Sequence, residues 1–291
     1  MNLLEPSFRP LPLGAIRPQG WLARQMEIQA QGLSGNLDLF WPDVSQSRWF
    51  GGAAEGWERA PYWLDGAVPL AFHLPDSPLL ARVRERVEYV LDHRQPDGWL
   101  GPREMVVRAG AAASPVYDLW AQFLALKPLL QYHEATSDAR AAAAIEANLA
   151  CIRDHIDRKP LHDWAQFRWF EALLPIQWLW ERSGERWLLD LAATLAAQGF
   201  DYAEFFAQWP FREPPARGRW TFASHVVNNA MAIKSHALWW RHTAQARDRA
   251  AADDMIERLD RYHGMATGVF TGAECLAGRD ATRGTELCAV V

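Results

Sequence analysis

Cysteine is scarce in this chain, which excludes a fold stapled by disulfides. Cys151, Cys275 and Cys288 are the three present in 291 residues, too few and too unevenly placed for a bridge framework. Long apolar runs are missing too. No stretch approaches the roughly 20 consecutive apolar residues of a membrane-crossing helix. Residues 1–17 hold no basic segment followed by an apolar core, so no secretory leader is read there. The expectation is a reduced, cytoplasmic chain with no membrane partner. Positive charge is also in deficit. Thirty Lys and Arg stand against 35 Asp and Glu, for a formal charge of −5, and no Lys/Arg-dense block offsets it. That balance argues against nucleic acid as a partner.

Tyrosine is sparse and tryptophan abundant, 6 against 16. Indole combines a large apolar face with one N–H donor. It suits wide gaps between helices, and it also suits a cleft where sugar C–H groups stack. Both uses are expected here.

Alternation with period two is rare, whereas apolar residues recur at helical spacing almost throughout. In Leu79–Asp92, Leu80, Val83, Val87, Val90 and Leu91 form one stripe, with Arg82, Arg84, Glu85 and Arg86 mostly opposite. Asp76-Ser77-Pro78 supplies an N-cap and an early-turn proline, and Gln95-Pro96-Asp97-Gly98 a stop. The same grammar predicts helices over Pro18–Gln31, Tyr62–Phe72, Leu79–Asp92, Val116–Tyr132, Asp138–Arg158, His162–Arg182, Glu185–Gln198, Ser224–Arg241 and Gln245–Tyr262. Ser183-Gly184 and the three-proline stretch Trp209–Arg219 separate some of them. Short loops join antiparallel neighbours, so the reading is all-α, with helical hairpins of the (α/α)6 toroid type. No strict repeat is visible, which disfavours a solenoid. A closed toroid uses about six hairpins, and this chain supplies fewer. It also ends on an apolar run, Glu286–Val291. The expectation is one domain over residues 1–291, an incomplete barrel truncated on its C-terminal side. Its unclosed faces are expected to self-associate.

Gly268–Val291 carries the richest chemistry. Glu274 and Glu286 lie twelve positions apart among glycines 268, 272, 278 and 284, where backbone approaches a ligand closely. Glu286-x-Cys288 spaces an oxygen and a sulfur donor as in half a zinc site, although a cysteine in an apolar run is more often core. In Ser224–Lys234, His225, Asn228 and Asn229 share a helix face. That face either reads sugar hydroxyls or satisfies the helix's own backbone. A third segment, Trp49–Gly66, interleaves Trp57, Glu58, Tyr62, Trp63 and Asp65 with Gly and Pro. This mixture suits a neutral polyhydroxylated ligand, and equally a hydrophobic helix start. Gln95–Gly101 (QPDGWLG) is read as a turn with an exposed Trp, another wall of a cleft.

Taken in order, LGAIRPQGWLARQ (13–25), GWERAPYWLDG (56–66), QPDGWLG (95–101), HVVNNAMAIK (225–234) and GAECLAG…GTELC (272–288) resemble the motifs of glycoside hydrolase family 127, the β-L-arabinofuranosidases. The resemblance spans essentially the whole chain. It implies an (α/α)6 barrel and a retaining glycosidase that uses a zinc-bound cysteine nucleophile on a carbohydrate substrate. By motif it makes Glu286 and Cys288 zinc ligands, Glu274 the general acid/base, and His225 a sugar contact. Asn228, Trp57, Glu58, Asp65 and Trp120 join His225 as expected substrate-binding residues. The family's two remaining zinc cysteines, one of them the nucleophile, are expected beyond the position where this chain ends, and no adjacent Cys-Cys pair exists within it. On this reading the chain alone is inactive. Trp120 stands where some members place a histidine, and Ala273 where an acidic residue often precedes the catalytic Glu. Both departures point to a subfamily that need not act on β-L-arabinofuranose. Two other classes compete: a non-catalytic sugar-binding toroid, favoured by the absent nucleophile, and a zinc-free toroid enzyme such as an unsaturated-uronyl hydrolase or sugar epimerase.

Overall fold

The computed structural model describes residues 3–103, 118–215 and 219–290. The first two residues of the expected helix Val116–Tyr132, the 216–218 part of the proline-rich loop, and Val291 lie outside them. The described chain is helical apart from one hairpin of two-residue strands. Its helices are α1 (Gly20–Gln31), α2 (Leu37–Phe40), α3 (Pro42–Ser45), α4 (Arg59–His73), α5 (Pro78–Asp92), α6 (Trp120–Thr136), α7 (Ala139–Ile156), α8 (Asp163–Phe167), α9 (Leu173–Ser183), α10 (Arg186–Gln198), α11 (Tyr202–Gln208), α12 (Val226–Thr243) and α13 (Ala246–His263). No helix among the described residues is long and apolar enough to cross a membrane.

The chain divides into two compact units. One comprises Phe8–Pro160 and Pro175–Leu188; the other comprises Met1–Ser7, Leu161–Leu174 and Leu189–Val291. In the first unit α4 packs on α5 and α6, and α6 on α7. The stripe of α5 buries Leu79, Val83, Val87 and Val90; of the expected set, Leu80 and Leu91 are only partly covered, and Leu79 is buried in addition. Pro78 opens this helix, and the Ser77 hydroxyl accepts the Leu79 N–H at 3.3 Å. The α6/α7 hairpin turns on Ser137, whose φ of 59° is left-handed, and on Asp138, which caps α7 by accepting the Arg140 N–H at 2.8 Å. Trp99 is buried, not exposed as the turn chemistry of QPDGWLG implied. Its Nε1 donates to the Pro102 carbonyl at 3.3 Å, and its flanks Leu100 and Asn148 are fully buried. Phe8, Leu11, Ile16, Trp21 and Leu33 stand exposed in this unit.

In the second unit α12 and α13 form a hairpin through Ala244, also left-handed at φ 57°. Phe200, Tyr202, Phe205, Phe206, Trp209 and Phe211 pack ring against ring beside it. The expected single helix His162–Arg182 is broken: α8 ends at Arg168 (φ −123°), and a 3-10 turn, Trp169–Ala172, leads into α9. Arg168 is drawn inward at that break, its Nε donating to Asn228 Oδ1 of α12 at 2.8 Å. That buried pairing interrupts a segment whose apolar pattern is continuous.

Candidate active site

The start of α12 and the glycine-rich segment after α13 are knit together by backbone. Val226 N–H donates to the Glu274 carbonyl at 2.9 Å, and Leu276 N–H to the Ser224 carbonyl at 3.0 Å. The strands Gly272–Ala273 and Cys275–Leu276 fold back on each other. Gly272 then meets the third segment, its N–H donating to the Gly284 carbonyl at 3.1 Å. A Cβ on Gly272 would lie 2.6 Å from the Cys275 oxygen and 2.9 Å from Val226 Cβ, so only glycine permits this approach. Thr285 Oγ1 fixes the last segment by donating to the Phe270 carbonyl at 2.6 Å.

These contacts bring His225, Glu274 and Glu286 together, with one donor atom from each lying within 4.8 Å of the others. His225 Nε2 is 3.4 Å from Glu274 Oε2 and 3.8 Å from Glu286 Oε2. The imidazole is almost wholly buried, Glu286 is partly covered, and Glu274 is 67% exposed, facing water. Glu286 Oε2 also accepts the Glu274 backbone N–H at 3.3 Å.

His225 is the N-cap of α12, its Nδ1 accepting the Asn228 N–H at 3.2 Å. Burial first, then the Arg168 guanidinium, push its pKa down to about 4, so the ring is neutral at pH 7. With Nδ1 occupied as an acceptor, the single ring proton sits on Nε2, where it points at the two carboxylates. A metal on Nε2 would need the lone pair that this proton occupies. Of the zinc ligands that the resemblance implies, Glu286 belongs to the cluster, whereas Cys288 is exposed and is not a member. The three residues are a set that can handle protons or, with the Nε2 proton displaced, hold a metal ion.

Glu274 itself is held at φ 70°, in the left-handed region that a side chain rarely adopts. Such conformations persist where the surroundings enforce them. Glu274→Gly is expected to raise the urea unfolding midpoint, by roughly 1 kcal/mol in stability, while removing the carboxylate. An unchanged or lower midpoint would show that the position carries no strain.

Other expected residues have different duties. Asn228 is buried, and its amide is occupied by Arg168 and by the Phe222 carbonyl, which Nδ2 reaches at 3.0 Å. In the other unit, Glu58 Oε2 accepts the Trp120 Nε1–H at 2.6 Å, with Trp57 half-buried in the adjoining chain. Asp65 pairs with Lys127 at 2.9 Å and accepts from Gln131 at 3.2 Å, clamping α4 to α6. Three residues that the sequence reading passed over surround His225. The Trp164 ring centroid lies 5.3 Å from its own and that of Trp220 6.0 Å, while Arg168 lies over Trp164 at 4.5 Å. Trp220 is 39% exposed, the aromatic face open to solvent at this site. Its one sequence signal was the excess of Trp over Tyr.

No protein-family model matches the chain, and no curated protein matches it.

Proposed function

We propose that this protein is a glycoside hydrolase of the β-L-arabinofuranosidase-like kind, with Glu274 as general acid/base. The observation that carries this reading is the cluster of a buried neutral His225 with Glu274 and Glu286, bordered by the exposed indole of Trp220. Glycosidic cleavage needs a carboxylic acid to protonate the leaving oxygen and a second group across the anomeric carbon. Glu274, exposed on its loop, reaches a bound sugar. Trp220 offers a face for sugar C–H groups, and the His225 Nε2–H serves a sugar oxygen or the carboxylates. The helical hairpins inside each unit are the elements from which the toroid of this reading is built. The exposed apolar side chains between Phe8 and Leu33 support its self-association.

The test is hydrolysis by the full-length protein of a panel of 4-nitrophenyl glycosides, with β-L-arabinofuranoside first and other pentosides and hexosides after it; residues 1–291 alone are expected to be inactive. Proton NMR of the first-formed sugar gives the anomeric outcome. Turnover with retention is expected for at least one panel member. A folded full-length protein that hydrolyses none of them would sink the reading and leave the non-catalytic sugar-binding alternative.

A further inference from the structure

The loop that carries Glu274 closes on a single residue. Thr271 begins it and Gly278 ends it, and both ends bond to His263, the last residue of α13. The Thr271 N–H donates to the His263 carbonyl at 2.8 Å, and the Gly278 N–H to His263 Nδ1 at 2.9 Å. Across the loop, the Ala277 N–H donates to the Thr271 carbonyl at 3.1 Å, and the Thr271 hydroxyl to the Gly278 carbonyl. Glu274 stands between these ends, its backbone left-handed and its side chain in water. The contacts to Ser224 and Val226 hold the middle of the loop against α12.

His263 is itself anchored on its far side. It is fully buried, its Nε2 is 2.7 Å from the Phe211 carbonyl, and its ring lies 5.9 Å from that of Trp209. A backbone N–H can only donate, so Nδ1 accepts from Gly278, and the ring proton sits on Nε2 and goes to Phe211. Burial pushes the pKa of the ring below its ordinary value, which keeps Nδ1 free of a proton. One ring nitrogen is thus committed to the block of Phe206, Trp209 and Phe211, and the other to the glycine-rich loop.

We propose that His263 is the positioning residue for Glu274, holding both ends of its loop and so setting where the carboxyl stands beside His225. The role of Glu274 rests on the glycosidase reading, whereas the brace does not. The two ring nitrogens can be removed one at a time. His263→Asn places an amide oxygen near the site of Nδ1, so it keeps the Gly278 bond and loses the Phe211 one. His263→Gln places an amide nitrogen near the site of Nε2, with the opposite result. Each variant gives up one buried hydrogen bond, and similar losses of stability are expected. A residue that only held the fold together would show no further difference between them.

The test compares the two variants in the full-length protein. Hydrogen–deuterium exchange read by mass spectrometry should quicken over residues 271–278 in the Gln variant and match the parent there in the Asn variant. With an alkyl glycoside, kcat should fall about 10²-fold in the Gln variant, the loss expected when a reacting group moves by about 1 Å. KM should change little, and the Asn variant should keep near-parent kcat. A 2,4-dinitrophenyl glycoside needs no proton for its leaving group, so its first step should be spared in both variants. Equal exchange over 271–278 in the two variants, or equal loss of kcat, would overturn the proposal and leave the glycosidase reading standing. If the parent hydrolyses no glycoside, that reading falls, and the exchange pattern alone decides whether His263 holds the loop.

Discussion

Glu274→Gln is expected to slow hydrolysis of alkyl glycosides by about 10³-fold, within the range that general acid catalysis supplies, or roughly 4 kcal/mol of barrier. The amide keeps the size of the side chain and gives up only its titrating proton. The left-handed backbone at this residue and its carbonyl contact to the Val226 N–H are both compatible with glutamine. The loss should depend on the leaving group. A 2,4-dinitrophenolate departs without protonation, so its glycoside should be attacked nearly as fast by the variant as by the parent, and the glycosyl-enzyme should then build up. Measured as kcat/KM across a series of aryl and alkyl glycosides, the gap between the two enzymes should widen as the leaving-group pKa rises. A uniform loss across the series would mean that Glu274 shapes the site without delivering a proton. No loss at all would remove it from the chemistry.

How far the sequence reveals this arrangement can be judged residue by residue. The α5 stripe, its Ser77-Pro78 start and the Ser137-Asp138 hairpin are local features, and they form where their patterns predict them. Local chemistry fails where a distant partner decides. The break at Arg168 is one case, because the helical pattern runs straight through it while the guanidinium turns inward to Asn228 on α12. Trp99 is another: a turn such as QPDGWLG usually leaves its aromatic residue outside, and here the ring is buried with His155 of α7 beside it. At the site, the glycine spacing marks Glu274 and Glu286 as a pair on a loop of close backbone approach. It says nothing of the strand contacts to residues 224–226 that deliver both carboxylates to His225. Histidine ranks below Ser, Thr, Asp and Asn as an N-cap, so the sequence leaves capping by His225 as one of two readings, and the structure shows the cap. Trp164 on α8 and Trp220 in the loop before α12 reach the site through tertiary packing, and periodicity cannot pair them.

The largest stability effect is expected at Asp248, which lies 12 positions beyond His236 and joins three helices. Its side chain is fully buried. One carboxylate oxygen is 2.9 Å from His236 Nδ1, and the other accepts the Thr243 hydroxyl. The other ring nitrogen of His236, Nε2, accepts the Ala203 N–H at 3.1 Å, so the ring donates from Nδ1 and Asp248 is its acceptor. The chain of bonds thus runs from the start of α11 through α12 to the start of α13. Asp248→Ala would leave a buried imidazole N–H and a hydroxyl without their acceptor, and such losses in a dry interior cost about 3–5 kcal/mol. Asp248→Asn keeps the volume and one acceptor, and should cost about half as much. Urea unfolding of the three proteins, followed by tryptophan fluorescence and far-ultraviolet circular dichroism, reads the order parent, Asn, Ala. Aspartate matters here as a hydrogen-bond acceptor, so the Asn variant should fall between the other two. A cost under about 1 kcal/mol for Ala would mean that water enters to satisfy His236, and that the helices are held by their apolar faces alone.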